Sequence, residues 1–199
     1  LFAHQIMKLN KINSLVELFF EKCKEKNTSN NQQFLKWLKN EKSKFLSWDQ
    51  VEQRINILSD YLTKILFPGD RCVLLSENRP EWLITDIAIM NAGGITVPLF
   101  TTYSEKDYEY ILKDCKPKIC IVSNEVQFKK IEKFISDETK VLSIENFSKK
   151  IESIENILDK HSQLIKASVS ETYNQQIKRT DLACIIYTSG TTGNPKGVM

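Results

Sequence analysis

The sequence lacks any long apolar run. No stretch approaches the roughly 18 apolar residues that a membrane-spanning helix needs. The amino-terminal segment has neither the apolar core nor the small-residue cleavage site of a secretory signal. Leu1 stands at the first position, and Met7 is the first methionine. We therefore expect neither a membrane span nor a secretory signal. We treat residues 1–12 as a leader and residues 13–199 as part of a domain that is incomplete at its carboxyl terminus.

A strong excess of one charge is also lacking. The 28 lysines and arginines against 25 acidic residues leave a net charge of +3, and the basic residues are scattered along the chain. Nucleic-acid-binding domains more often carry a strong basic excess or a basic stripe, so we predict no nucleic-acid partner. With 41% hydrophobic and 27% charged residues, the composition is typical of a soluble globular protein.

The five cysteines lack the spacing of a disulfide framework. Cys72, Cys120 and Cys184 each lie inside an apolar run, where free cysteine behaves as a small buried hydrophobe. Cys115 and Cys120 are the only close pair, and no second pair accompanies them to complete a zinc site. We therefore expect reduced thiols and a cytoplasmic location.

An alternation of strands and helices is what the sequence does contain. The continuously apolar segments "RCVLLS", "ITVPLF", "KICIVS" and "KVLSIE" predict strands buried on both faces, with helices between them. Strands alternating with helices indicate βαβ units. We predict an α/β fold with a mostly parallel sheet and flanking helices.

The amino-terminal part predicts a different arrangement. Residues 13–26 have helical periodicity, and their apolar stripe favours core packing, with contact to a membrane surface as the alternative. The segments "QQFLKWL" and "SKFLSW" predict an antiparallel pair. A long helix follows, with Ser47 as its N-cap and Gln50 completing a capping box.

Several boundaries are predicted further along. Asn78 is the expected N-cap of the helix in "NRPEWLITDIAIMNAGG", Pro80 suits its first turn and Gly93 can close it. Residues 146–163 predict a helix and residues 164–180 a connector. "LACIIYTS" predicts the last full strand.

The closing stretch "YTSGTTGNPKGVM" concentrates phosphate-binding chemistry. Gly190 and Gly193 allow successive backbone amides to converge on an anion. Hydroxyl residues add donors, and Lys196 adds a mobile positive charge behind Pro195. The order differs from a Walker A loop, which places its lysine after a glycine and before a helix. We predict instead a hairpin loop between two strands, suited to a polyphosphate such as that of ATP.

The ordered string resembles the phosphate-binding signature of the AMP-forming adenylating enzymes, Tyr/Phe-Thr-Ser-Gly-Ser/Thr-Thr-Gly-x-Pro-Lys-Gly. The match is complete from Tyr187 to Gly197. "LLSENRPEWLITDIAIMNAGGITVPLFTTYS" and "FLSWDQVEQRI" are similar to segments of long-chain fatty acid–CoA ligases. The resemblance begins near Leu15 and is loose over residues 124–180.

The resemblance implies an activity and a set of site residues. The parent protein would activate a long-chain fatty acid with ATP, forming acyl-AMP, and transfer the acyl group to CoA. Thr191 and Lys196 would be catalytic. The residues implied to bind ATP are Thr188, Ser189, Gly190, Thr191, Thr192, Gly193 and Lys196. The resemblance also implies a Mg²⁺ ion whose acidic ligand lies beyond Met199, together with the adenine-binding segment and the acyl pocket.

Two other functions stay open at this stage. One keeps the adenylation but changes the acid to a short-chain, aryl or amino acid. The other is a non-catalytic nucleotide-binding remnant. Peripheral association with the inner face of the membrane is a further alternative to a purely cytoplasmic location.

Other polar and aromatic residues have competing interpretations. Asn78, Arg79, Glu81 and Trp82 resemble a polar site, but capping and helix-surface roles are favoured. Phe100 and Tyr103 follow a strand and suit either pocket lining or packing. His4 and His161 have no triad partners.

Overall fold

A computed structural model describes residues 12–27, 32–39, 41–165, 176–188 and 195–199. The helices described are α1 Leu15–Asn27, α2 Trp48–Thr63, α3 Pro80–Asn91, α4 Glu105–Cys115, α5 Glu125–Ile131 and α6 Ile154–Ile165. The strands described are β1 Gln33–Lys39, β2 Lys42–Ser47, β3 Arg71–Leu75, β4 Ile95–Leu99, β5 Ile119–Val122, β6 Lys140–Ser143, β7 Glu152–Ser153, β8 Ile186–Thr188 and β9 Lys196–Val198. A short 3₁₀ helix, Glu132–Phe134, follows α5.

The central sheet has five parallel strands in the order β4-β3-β5-β6-β7. β4 pairs with one edge of β3, and the chain then crosses back so that β5 pairs with the other edge of β3. This confirms the predicted α/β class. In sheets of this kind, ligands bind outside the carboxyl ends of the strands.

Alternation along the strands divides the interior into two cores. Cys72 and Leu74 of β3 pack with α1, α2, α3 and α6 on one face. Val73 and Leu75 of the same strand pack with α4 and α5 on the other face. Both faces of β3 are therefore covered, as the unbroken apolar segments of the sequence predict.

The β1–β2 hairpin is joined to the first core at its base. The ring of Phe34 stacks on that of Trp48 at the start of α2, with centroids 3.8 Å apart. The predicted antiparallel pairing is confirmed. The capping box at Ser47 is also confirmed, because its hydroxyl accepts from the Gln50 amide and the Gln50 side chain accepts from the Ser47 amide.

The predicted N-cap at Asn78 is wrong. Arg79 occupies the cap position with extended backbone, and its side chain makes no cap hydrogen bond. The reason lies in Pro80, which opens the helix and forces the residue before it out of helical geometry. The prediction that Gly93 closes the helix holds, because Gly93 follows the cap residue Ala92 with φ of 83°.

Two later predictions also need correction. Residues 146–163 do not form one helix: β7 occupies Glu152–Ser153, and α6 begins only at Ile154. "LACIIYTS" is not a full strand of the central sheet. It contributes one bridge between Cys184 and Thr96, and its end forms β8 in a separate two-stranded sheet. Part of the predicted connector, residues 166–175, lies outside the described residues.

The cysteines are free thiols. Cys72 and Cys120 are buried as predicted, while Cys184 is only partly buried. Burial raises the pKa of Cys72, Cys23 and Cys115 to about 12. These thiols are therefore protonated and poorly nucleophilic at neutral pH.

Candidate functional site

A hairpin holds the two described ends of the predicted phosphate loop. Strands β8 and β9 pair antiparallel, and the register places Thr188 directly opposite Lys196. This confirms the predicted strand–loop–strand arrangement. Ser189, Gly190, Thr191, Thr192 and Gly193 lie outside the described residues.

The root of this hairpin is attached to the edge of the central sheet. The backbone amide of Thr96 in β4 donates to the carbonyl of Ala183 at 3.1 Å. The amide of Ile185 donates to the carbonyl of Thr96 at 2.9 Å. The segment runs parallel to β4. It therefore leads the chain to the carboxyl edge of the sheet, where ligands bind in such folds.

Tyr187 fixes the hairpin to the second core. Its side chain is only 3% exposed. Its hydroxyl donates to Asp114 Oδ2 on α4 at 2.5 Å, and its carbonyl accepts from the hydroxyl of Tyr103 at 2.8 Å. Burial, followed by the hydrogen bond to Asp114, raises the pKa of Tyr187 above its usual value. A neutral phenol is therefore held at the root of the loop.

Gly197 allows the two strands to approach each other closely. It pairs with Tyr187 across the hairpin. A Cβ at this position would lie 2.9 Å from Ile185 Cγ2 and 3.3 Å from Tyr187 Cζ. A side chain here would force Ile185 or the strand to move. The glycine of the motif thus allows close packing against Ile185 and Tyr187.

Phe100 and Tyr103 lie beside this root, in the turn after β4. Their rings meet edge to face at 5.3 Å. The Phe100 carbonyl accepts from the Tyr108 hydroxyl at 2.8 Å, which ties the turn to α4. Tyr103 packs against the second core, whereas Phe100 is exposed. The packing interpretation of Tyr103 is confirmed. Its hydroxyl also donates to the Tyr187 carbonyl of the hairpin.

A cluster of three charged side chains, Arg79, Glu81 and Glu145, lies near the carboxyl ends of β3 and β6. Arg79 Nε lies 2.8 Å from Glu81, and its Nη1 lies 2.6 Å from Glu145. Trp82 packs against the first core. These contacts tie α3 to the segment after β6. The structural roles favoured by the sequence are confirmed, except for the cap at Asn78.

Asp114 is the site residue that sequence reasoning missed. It lies 73 positions before its partner Tyr187. Nothing in "SEKDYEYILKDC" distinguishes it from the other acidic residues of an exposed helix face. Only the packing of α4 beside the hairpin reveals its role.

Within the described ranges, no group of three or more His, Cys, Asp or Glu side chains is arranged to hold a metal ion. Across the same residues, no helix combines the length and apolarity required to cross a bilayer. The Mg²⁺ ligand expected beyond Met199 stays a prediction. His161 lies in α6, and His4 lies outside the described residues.

Comparison with known proteins identifies relatives. The family described as AMP-binding enzyme matches residues 21–199. Long-chain-fatty-acid–CoA ligase ACSBG1 of Rattus norvegicus is 31% identical over 133 residues, covering 63% of this chain and 18% of that protein. Fatty acyl-CoA synthetase A of Dictyostelium discoideum is 30% identical over 167 residues, covering 78% of this chain and 24% of that protein. Bacitracin synthase 3 of Bacillus licheniformis is 32% identical over 155 residues, covering 77% of this chain and 2% of that protein.

A solved structure shares the fold. VinN in complex with 3-methylaspartate superimposes with a TM-score of 0.72 at 19% identity, covering 94% of this chain and 47% of that chain. The present chain spans about a fifth to a quarter of the two fatty acid ligases. The family match covers most of this chain and includes the hairpin with its ordered motif. The chain belongs to the AMP-binding enzyme family.

Proposed function

We propose that the protein containing this chain is an AMP-forming ligase that activates a long-chain fatty acid with ATP and transfers the acyl group to CoA. Family membership supports the adenylate-forming chemistry. The two fatty acid ligases support the choice of acid. The observation that carries the proposal is the β8–β9 hairpin, which sets Thr188 opposite Lys196 at the base of the motif loop.

The proposed reaction has two steps. In the first, a carboxylate oxygen attacks the α-phosphorus of ATP, acyl-AMP forms and pyrophosphate leaves. In the second, the CoA sulfur attacks the acyl carbon, a thioester forms and AMP leaves. Both substrates of the first step are anions. The protein must therefore hold them together and stabilise the charge that moves onto pyrophosphate.

The motif residues have the groups that this task requires. We assign the β- and γ-phosphates to the hydroxyls and amides of Thr188, Ser189, Gly190, Thr191, Thr192 and Gly193. Lys196 neutralises part of their charge from β9, and Thr191 and Lys196 act on the departing pyrophosphate. Mg²⁺ would share the remaining phosphate charge, and we assign no described residue to it. Tyr187 keeps both strands at the carboxyl edge of the sheet.

A different carboxylic acid is the second candidate substrate. Bacitracin synthase 3 is as similar to this chain as the fatty acid ligases are. The resemblance implies an acyl pocket outside the described residues, which favour neither acid. We also propose a cytoplasmic location for the protein.

The proposal is tested by ATP–pyrophosphate exchange with the full-length protein. We expect exchange with palmitate and much less with acetate, benzoate or amino acids. Exchange with one of these other acids alone would select the second candidate. ATP binding without exchange for any acid would indicate a non-catalytic remnant and overturn the proposal.

The role of Lys196 is tested in the same assay. We expect Lys196→Ala to lower the exchange rate by roughly 100-fold, the order of magnitude seen when one stabilising group is removed from a transition-state anion. Lys118→Ala is the matched control, because Lys118 is exposed and lies before β5, outside the hairpin strands and the motif. Equal rates for Lys196→Ala and the wild type would exclude this role.

A further inference from the structure

The turn that follows β4 is held by two helices before it reaches the β8–β9 hairpin. The Phe100 carbonyl accepts from the hydroxyl of Tyr108, a buried side chain on α4, at 2.8 Å. The Thr101 carbonyl accepts from Lys130 Nζ on α5 at 2.7 Å. Two successive carbonyls of the turn are thus fixed from different sides. The position of the next aromatic residue, Tyr103, therefore depends on the packing of α4 and α5.

A capping box fixes the chain directly after Tyr103. Ser104 is the N-cap of α4, and its hydroxyl accepts from the Asp107 amide. The Asp107 carboxylate accepts in return from the Ser104 amide at 3.0 Å. Burial, followed by the charge of Asp107, raises the pKa of Tyr103 above its usual value. The Tyr103 hydroxyl therefore keeps its proton at neutral pH and is available as a hydrogen-bond donor.

Tyr103 acts on the backbone of the hairpin. Its hydroxyl donates to the Tyr187 carbonyl at 2.8 Å. The bond to Asp114, in contrast, holds the side chain of Tyr187. Neighbouring residues of a strand direct their backbone groups to opposite sides. A Tyr187 carbonyl held toward the turn therefore directs the backbone of Thr188 toward β9, where Thr188 pairs with Lys196.

A purely stabilising role of the Tyr103 hydroxyl is the competing explanation. The residue is half-buried and packs against the second core, so its bond to Tyr187 adds to stability in any case. The place of the bond in the chain favours a further role. It holds the residue directly before Thr188, at which the motif assigned to ATP begins. A bond at this place determines how the two ends of the motif loop meet.

We propose that Tyr103 is a positioning residue for the ATP-dependent step: its hydroxyl holds the β8 backbone so that Thr188 and Lys196 face each other at the base of the motif loop. The inference rests on the proposed function and names a residue that lies outside the motif. A binding loop whose ends are already aligned loses less entropy when it orders around a ligand. Tyr103 contacts neither substrate in this role and acts through Lys196.

Tyr103→Phe in the full-length protein removes the hydroxyl and keeps the ring. In ATP–pyrophosphate exchange with palmitate, we expect kcat/KM for ATP to fall about five-fold, the effect of one neutral hydrogen bond of ordinary strength. The KM for palmitate should be unchanged. A lower melting temperature with an unchanged kcat/KM for ATP would show a purely stabilising role and overturn the proposal.

Tyr110→Phe is the matched control. Tyr110 lies on α4 and packs against the second core, and its hydroxyl makes no hydrogen bond with the residues that the structure describes. This variant should have the wild-type kcat/KM for ATP. Equal losses in Tyr110→Phe and Tyr103→Phe would show that the effect does not come from the bond to Tyr187.

Combining Tyr103→Phe with Lys196→Ala tests whether Tyr103 acts through the lysine. If it does, removal of the hydroxyl should matter little once the lysine is absent. We expect Tyr103→Phe to lower kcat/KM for ATP less than about two-fold in the Lys196→Ala background, because residues that act as a unit are not additive. The same fall in both backgrounds would refute the positioning role.

The support beneath the turn is tested independently. Lys130→Met removes the bond to the Thr101 carbonyl and should lower kcat/KM for ATP about two-fold, while Lys130→Arg keeps a donor and should retain the wild-type value. Lys129→Met changes the charge equally and should have no effect, because Lys129 is exposed and pairs with Glu125 at 3.0 Å. Equal losses in Lys129→Met and Lys130→Met would show a general effect of charge and contradict the role of the turn.

Direct binding of ATP separates failure of this inference from failure of the proposed function. Calorimetry with ATP and no acid should show binding about five-fold weaker for Tyr103→Phe than for the wild type. If the wild type binds ATP but exchanges pyrophosphate with no acid, the proposed function fails, and this comparison still decides the role of Tyr103. Equal ATP affinities of the wild type and Tyr103→Phe would contradict the positioning role.

Discussion

Replacing Tyr187 with phenylalanine removes one hydroxyl group from the root of the β8–β9 hairpin and leaves the ring in place. The hydroxyl donates to Asp114 Oδ2 at 2.5 Å. A hydrogen bond to a charged group contributes about 1.5–3 kcal/mol. Asp114 is exposed, so water can replace the lost donor, and the lower part of that range applies. We expect a loss of about 1.5–2 kcal/mol in the free energy of unfolding, because the apolar packing of the ring is unchanged.

The same substitution should affect ATP more than the acid. The Asp114 bond holds β8, and β8 positions Thr188 opposite Lys196. A looser root would raise the KM for ATP a few-fold in pyrophosphate exchange and leave the KM for the acid unchanged. A purely stabilising role would lower the melting temperature without this separation of the two KM values.

A double-mutant cycle provides the decisive measurement. Urea unfolding of the wild type, Tyr187→Phe, Asp114→Asn and the double variant gives the coupling energy between the two side chains. We expect coupling of about 1 kcal/mol, above the 0.3–0.5 kcal/mol within which independent sites add. Full additivity would refute the idea that this hydrogen bond secures the hairpin.

The raised pKa of Tyr187 adds a dependence on pH. The folded protein holds the phenol proton more tightly than the unfolded chain, whose value lies near 10.0. The stability that this contributes is fully present below pH 10.0 and is lost as the pH rises through the higher folded value. The advantage of the wild type over Tyr187→Phe should therefore shrink above pH 10.0.

Two further predictions concern the hairpin and the carboxyl edge of β3. Gly197→Ala places a Cβ 2.9 Å from Ile185 Cγ2 and should cost about 1–3 kcal/mol in urea unfolding. The exposed neighbour Val198→Ala should cost less than about 0.5 kcal/mol, and equal costs would contradict the close approach. Burial alone would raise the pKa of Glu77, but hydrogen bonds from neighbouring groups, Gln127 among them, lower it below 4.5. The stability advantage of the wild type over Glu77→Gln should be present at neutral pH and shrink as the pH falls below 4.5, and a constant difference would contradict this.

The sequence predicted those structural elements that are determined by residues close together in the chain. The capping box needs only Ser47 and Gln50, three positions apart. The five-stranded order could not be read from any single strand, but apolar strands alternating with helices predicted its parallel class. The Asn78 cap failed because the preference of Asn for caps was weighed without the constraint that Pro80 places on Arg79.

Contacts between distant parts of the chain could not be predicted from the sequence. The motif predicted that residues around Lys196 form a hairpin, because its glycines and hydroxyls have a fixed order. Its attachment to Thr96 and Asp114 depends on where β4 and α4 lie in space. The last strand was misjudged for the same reason. "LACIIYTS" is apolar enough for a central strand, but only Cys184 bridges to the sheet before the chain turns into β8.

The attachment of the hairpin root to β4 has a consequence for the order of folding. Cys184 meets Thr96 across a wide separation in sequence, and Tyr187 meets Asp114 across 73 positions. Pairings with long loops form slowly, because the entropy of loop closure is lost before the contacts compensate for it. The β3–β4 and β5–β6 pairs, by contrast, close over short segments of chain. We therefore expect the sheet to become protected from hydrogen exchange first and the β8–β9 hairpin to acquire its structure last.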